Sequence, residues 1–340
     1  MTRGFCKLDR CPAAKTGLCY DNLPDLEHCP NWQLGAAESA SSIEGASSID
    51  TTQQITKGNT ISDSQNVIWT GYPLKLTEIE LISRRTNPLI VAPVGESFAG
   101  KSSFLGMLHT LLLRGHRLKE YTFAGSATLL GWEALAASLR YNKGQSSEPT
   151  PTPSDPEYYS FLHWALRRTK GTILDILFPD ASGEVFSQWA VDRDEPNSEN
   201  VRWIHDNADA FIFFVSCQSL IIKRGESVTN LVDLANRVKE NLRGRPLLVV
   251  WSKADLIGEV RAAVKERLIQ QLDYIFGTVP HIEISKVLQE QPDHKQLNNL
   301  AVLDQLFSQL EAYHPKVPTL EKPVSSQDPF LLYRNYESDR

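Results

Sequence analysis

Apolar residues along this chain follow two rhythms. Nearly unbroken apolar runs occur at Pro88–Gly95 (PLIVAPVG), Thr172–Asp180 (TILDILFPD), Asp209–Cys217 (DAFIFFVSC) and Pro246–Ser252 (PLLVVWS). Their continuity predicts strands buried on both faces. Between them the apolar positions recur at helical spacing. Phe104, Leu105, Leu108, Leu111 and Leu112 share one helix face, with Gly115 as the stop. Val228, Leu231, Val232, Ala235, Val238 and Leu242 share another, and Leu303, Leu306, Phe307 and Leu310 a third. A further helix is expected in EVRAAVKERLIQQL and a strand in HIEIS. Strands alternating with helices predict an α/β fold, a three-layer α/β/α sandwich around a mainly parallel sheet. EYYSFLHWALRRT and TILDILFPD flank Lys170-Gly171, a hairpin turn that adds one antiparallel edge strand.

The rhythm is absent at both ends. Residues 1–32 hold Cys6, Cys11, Cys19 and Cys29, four of the five cysteines in the chain. Residues 33–66 are rich in Ser, Thr, Gly and Gln and read as a flexible linker, roughly 30 Å across as a random coil. The α/β domain then occupies 67–313 and a proline-containing tail 314–340. The tail closes on PFLLYRNYESDR, an apolar knot that either packs back on the domain or docks elsewhere. A net charge of −6 argues against a nucleic-acid footprint, and no apolar run has the length of a membrane span. MTRGFCKLDR lacks the apolar core of a secretory signal, so a cytoplasmic, reducing location is expected.

Chemistry enters at VAPVGESFAGKSSF. Gly95-Glu96-Ser97-Phe98-Ala99-Gly100-Lys101-Ser102, followed by Ser103, fits G-x-x-x-x-G-K-[ST] after a buried strand and at a helix start. Glycines allow several N–H groups to converge on one cluster of phosphate oxygens, and the helix N-terminus adds partial positive charge. Lys101 would meet the β- and γ-phosphates and Ser102 would ligate Mg²⁺. DASG, at the end of the next strand, offers Asp180 for Mg²⁺ and the Gly183 amide for a γ-phosphate. SKAD supplies Ser252, Lys253 and Asp255. A carboxylate there accepts from guanine N1–H and N2–H₂, a donor pair adenine lacks, and the Lys253 stem can lie over the base. Ser285 and Lys286, after the following strand, bring a backbone amide toward guanine O6. All four stretches sit at strand C-terminal ends, where doubly wound sheets bind ligands. The cofactors expected are GTP or GDP with Mg²⁺.

The order GESFAGKS, DASG, SKAD, ISK resembles the translation-factor-related class of P-loop GTPases over roughly residues 87–313. FAGSATLLGWE and DASGEVF resemble, more narrowly, the bacterial double-GTPase family, type two. The resemblance implies a P-loop NTPase sandwich and a GTP-hydrolysing molecular switch that regulates a protein partner or effector, another GTPase among the candidates, in a bacterial conflict or signalling system. It also implies a threonine that completes the magnesium site, with Thr128 as the first choice and Thr122 as the second. Glu184, directly after the DASG glycine, falls where related GTPases position the attacking water. The guanine motif usually begins with Asn or Thr, whereas Ser252 is shorter and bridges to the cradle through fewer contacts.

Two other function classes compete, an ATP-dependent kinase and a nucleotide-binding scaffold without turnover. Arg193 and Arg202 are either surface residues or a cation supplied to the reaction. Trp132, Trp189 and Trp203 either pack the core or present a nucleotide-dependent face. The four N-terminal cysteines, spaced by four, seven and nine residues with His28 as a substitute, fit Zn²⁺, an iron–sulfur cluster or unligated thiols.

Overall fold

The computed structural model describes residues 4–6, 32–34, 71–139, 152–155, 157–169, 171–286 and 293–313. The chain divides into two units, Met1–Ile61 and Ser62–Arg340. In the first, β1 (Gly4–Cys6) pairs antiparallel with β2 (Trp32–Leu34), and Cys6 lies opposite Trp32 in the register. Cys11, Cys19, Cys29, the tail and the linker from residue 35 onward lie outside the described residues, while Gln33 and Leu34, read as the start of the linker, belong to β2.

The second unit is built on a seven-stranded sheet in the order β4–β5–β6–β3–β7–β8–β9. The strands are β3 (Leu89–Val94), β4 (Tyr121–Gly125), β5 (Phe161–Arg168), β6 (Ile173–Pro179), β7 (Ala210–Ser216), β8 (Leu247–Ser252) and β9 (His281–Glu283). From β6 to β9 all neighbours are parallel. β5 runs antiparallel to both β6 and β4, so the hairpin read at Lys170-Gly171 makes the antiparallel margin of the sheet. Gly171 takes φ +93°, a left-handed turn conformation that glycine adopts without steric cost. The outermost strand, β4, carries Thr122, the second candidate for the magnesium site.

Nine described helices cover the sheet: α1 (Ile79–Ser83), α2 (Lys101–Leu113), α3 (Leu129–Ser138), α4 (Gly183–Val191), α5 (Glu199–Asn207), α6 (Cys217–Ile222), α7 (Gly225–Glu240), α8 (Ala262–Phe276) and α9 (His294–Ala312). Alternate residues of the central strands feed two separate cores. Phe211, Phe213 and Val215 of β7 face one side with α4, α7 and α8, while Ala210, Ile212 and Phe214 face α2 and α9 on the other. Burying each of these Phe rings contributes roughly 1.5–3 kcal/mol. The continuous apolar runs therefore have their physical cause in two-sided burial. At the C-terminal ends of β3, β6, β8 and β9 the chain leaves the sheet through the four motif-bearing loops.

Between α2 and β5 the chain inserts β4 and α3. A buried polar knot holds this insertion. His163 on β5 accepts the Ala127 N–H at Nδ1, 2.9 Å, so its proton sits on Nε2 and is donated to Asp175 Oδ1 at 2.9 Å. Burial lowers the His163 pKa and keeps the ring neutral, against the pull of Asp175. Asp175 is itself fully buried and also receives Arg85 and Thr86. Burial pushes the Asp175 carboxyl up, but the donated hydrogen bonds from Arg85, Thr86 and His163 outweigh it and leave it below the usual carboxylate range.

Candidate nucleotide site

The loop after β3 turns sharply into α2. Gly100 takes φ +90°, and Phe98 takes φ +57°, a left-handed conformation that is uncommon for a residue with a side chain. Gly95 has no room for a side chain, since a Cβ there would meet Phe214 Cβ at 2.9 Å. The first turn of α2 leaves its N–H groups without partners inside the helix, and they open on a cavity of about 240 Å³. Ser97 to Ser103 line one side of that cavity. Thr152, Ser154, Ser182, Gly183 and Glu184 line another, and Lys253 and Lys286 close it.

Gly95 and Glu96 stand behind this wall. The Glu96 carboxylate is buried and accepts from Asn230 Nδ2 at 3.1 Å and Ser227 Oγ at 3.3 Å, which ties the loop to α7. The Gly95 and Glu96 carbonyls accept from Lys101 Nζ at 2.9 and 3.1 Å. Lys101 is buried, and desolvation pushes its pKa down to about 8, against the opposing charges of Asp180 and Glu96. Across the cavity, Ser102 Oγ donates to Asp180 Oδ1 at 3.0 Å. Burial raises the Asp180 pKa, and Ser102, Lys101 and Thr152 act in the opposite direction. A buried ammonium held by carbonyls beside an oxygen cluster has the chemistry of a site for a polyanion and a hard cation, so GTP and Mg²⁺ fit these donors.

A second recess continues from Gly100 and Ser103 to Ser252, Lys253, Ser285 and Lys286. Ser252 Oγ donates to Ala99 O at 2.7 Å, so the short side chain does bridge to the phosphate loop, through that one bond within 3 Å. Asp255 is exposed, and its Oδ1 accepts from Ser285 Oγ at 3.0 Å. Lys253 sits in a left-handed conformation at φ +52°, with Nζ on Gln218.

Residues 89–310 match the family model Double-GTPase 2. The chain belongs to the Double-GTPase 2 family. No curated protein matches it. Among solved structures it is similar to an Aquifex aeolicus Era variant bound to GDP and AlF4−, at 17% identity and a TM-score of 0.32. That likeness covers 67% of this chain and 57% of the other. Membership makes the chain a GTP-binding protein of the P-loop GTPase class, and no helix among the described residues is long and apolar enough to cross a membrane.

In this Double-GTPase 2 chain most of the sequence-predicted residues meet around the cavity, and the two candidate threonines lie away from it. Thr128 does not reach the cavity. It is fully buried and caps α3, and its hydroxyl accepts the His163 N–H at 2.8 Å. Thr122 lies in β4, with its hydroxyl on Arg167 O. The threonine at the cavity is Thr152, whose Oγ1 is 3.5 Å from Ser102 Oγ and 3.4 Å from Asp180 Oδ2. It belongs to the Pro/Ser/Thr-rich stretch KGQSSEPTPTPSDPE, residues 143–157. The signal that could have found it is its place just before the strand that pairs with the DASG strand.

Arg202 donates to Arg193 O and Glu195 O, and so braces the turn after α4 instead of entering the cavity. Trp132 and Trp189 are core residues, and Trp203 is half-buried against Phe161. Cys217 is buried, with its thiol pushed up to about 12, and packs as a small apolar group. Among the described residues no cluster of His, Cys, Asp or Glu could hold a metal through those side chains alone, and the N-terminal cysteines fall outside them apart from the Cys6 backbone.

The depressed Lys101 pKa is expected to give nucleotide binding a pH dependence. Phosphate oxygens raise the pKa of an adjacent ammonium, so the complex holds a proton that the free chain loses above about 8. GDP affinity should be full below that pH and fall as pH rises through it, by at most about tenfold per unit. Calorimetric titration with GDP across this range checks it. An affinity independent of pH would mean that Lys101 does not contact the phosphates.

Proposed function

We propose that this chain is a Mg²⁺-dependent GTPase that switches a protein partner, with segments 152–155 and 180–191 as the parts that respond to the γ-phosphate. The observation that supports this reading most is the meeting of three oxygen donors, Ser102 Oγ, Asp180 and Thr152 Oγ1, beside a buried Lys101. Ser102 and Thr152 would hold Mg²⁺, with Asp180 behind them. Mg²⁺ in that place supplies charge neutralisation for the transferring phosphoryl group.

The chain's own residues divide the remaining work. Lys101 neutralises β- and γ-oxygens, and the amide of Gly183, a residue with no room for a Cβ beside the Ser97 backbone, fixes the γ-phosphate. Glu184 accepts a hydrogen bond from water and aims it at phosphorus, where the new P–O bond forms as the bond to the β–γ bridging oxygen breaks. GDP and inorganic phosphate leave. A carboxylate beside a charged γ-phosphate is a weak aid, so turnover is slow until a partner adds positive charge. Phe98 at the cavity mouth is 69% exposed and Val191 at the end of α4 is 82% exposed, and these apolar side chains support the reading of a partner that senses the nucleotide state. The resemblance to double GTPases makes another GTPase a candidate for that partner.

Thr152→Ala and Thr128→Ala separate the two threonines. Thr152→Ala is expected to remove most of the magnesium dependence of GTP affinity and slow single-turnover phosphate release by about 100-fold. Thr128→Ala is expected to lower the melting temperature and leave the magnesium dependence intact. If Thr152→Ala hydrolyses GTP at the unmodified rate, the assignment fails.

A further inference from the structure

We propose that Ser154 is the positioning residue for Glu184, holding the carboxylate in the orientation that presents its second oxygen to the attacking water. This inference rests on the hydrolytic reading above and adds a residue that reading does not use.

Ser154 Oγ donates to Glu184 Oε2 at 2.9 Å and lies 3.1 Å from Ser182 Oγ. Ser182 Oγ in turn accepts the Glu184 N–H at 3.3 Å, as the N-cap of α4. A serine hydroxyl carries a single hydrogen. Ser154 commits its own to the carboxylate, so the hydrogen shared between the two serines comes from Ser182. The three contacts then close a ring that runs one way, from the Ser182 hydroxyl to Ser154, from the Ser154 hydroxyl to Glu184, and from the Glu184 amide back to Ser182. Hydrogen bonds linked in one direction polarise one another. Glu184 is exposed, and a free glutamate side chain on a surface samples many rotamers. Binding Oε2 removes that freedom and leaves Oε1 for water.

Ser154 is placed by its neighbours. Asp155 O accepts from Asn200 Nδ2 at 3.3 Å, Asp155 Oδ1 accepts the Glu157 N–H at 2.9 Å, and Asn200 is fully buried in α5. Thr152, two residues earlier, reaches Ser102 and Asp180. One short stretch therefore touches both the magnesium donors and the water-positioning residue. The ring closes only when residues 152–155 and 182–184 are both seated. It acts on turnover and leaves nucleotide binding to Lys101 and the base recess.

The test is single-turnover phosphate release by the full chain, alongside GTP and GDP affinities. Ser154→Ala should release phosphate about tenfold more slowly, with both affinities unchanged within about twofold. Ser154→Thr, which keeps a hydroxyl, should restore the rate. In a chain carrying Glu184→Ala, the Ser154→Ala change should cost nothing further. Ser154→Ala at the unmodified rate would overturn the proposal, as would the same loss on top of Glu184→Ala. If Glu184→Ala alone hydrolyses GTP normally, the hydrolytic role of Glu184 fails first, and the Ser154 proposal falls with it.

Discussion

Gly183→Ala is expected to slow GTP hydrolysis by about 100-fold or more while GDP still binds. A Cβ at Gly183 would lie 2.2 Å from Ser97 N and 2.3 Å from Glu96 C and O. Those are backbone atoms of the phosphate loop, and the loop is held from behind by Glu96 on Ser227 and Asn230 and by Lys101 on two carbonyls. They cannot swing aside as a flexible side chain would. The start of α4 must retreat instead and carry Asp180 and Glu184 with it, and a misplacement of about 1 Å costs about 100-fold in rate. GDP lacks the γ-phosphate that the Gly183 amide would meet, so its affinity should be spared. Single-turnover phosphate release measures the first effect and GDP titration the second. Emission from Trp189, buried in α4, should differ between GDP and a GTP analogue in the unmodified chain and lose that difference in the variant. Normal hydrolysis by Gly183→Ala would mean that the DASG turn takes no part in the reaction.

Asp255→Asn is expected to weaken guanine nucleotides by about 1–3 kcal/mol, roughly 5- to 160-fold, and to leave ATP binding unchanged. The carboxylate would offer two acceptor oxygens to the N1–H and N2–H₂ of guanine, and Ser285 steadies one of them at 3.0 Å. An asparagine replaces one acceptor with an NH₂ group that confronts a donor on the base. The phosphate side of the site is untouched, so the loss is confined to base recognition. Equal GTP affinity in the variant and the unmodified chain would reject Asp255 as the base reader.

The sequence carried the central sheet because β3, β6, β7 and β8 are buried on both faces, and such strands can only be continuous apolar runs. The four loops of the site were legible for a related reason, since each follows one of those runs or the β9 strand next to them. β4 was hidden. Tyr121–Gly125 is a strand at the sheet margin with three of its five residues exposed, so its pattern reads as loop. That insertion also sets where the candidate threonines lie. Thr128 follows α2, where a simpler sheet would bring the chain back to the cavity, but it lies between β4 and α3 and is pinned to His163. Thr152 reaches the site because Asp180 N bonds Ser160 O at 2.8 Å, just beyond the β5–β6 pairing, which brings the chain before β5 beside DASG. The β5–β6 hairpin was legible, but the residues around Thr152 carry no motif that points to the site. The Glu96 anchor and the ring through Ser154 are likewise contacts between residues distant in sequence, made of serines and an asparagine that carry no motif of their own.

The central claim is that this chain grips a triphosphate at Lys101 and selects guanine at Asp255. Calorimetric titration of the unmodified chain with GTP and with ATP, each with and without Mg²⁺, tests it most directly. GTP should bind at least about 100-fold more tightly than ATP, with an affinity that rises when Mg²⁺ is added. ATP binding as tightly as GTP, or neither nucleotide producing heat at any magnesium level, would contradict it.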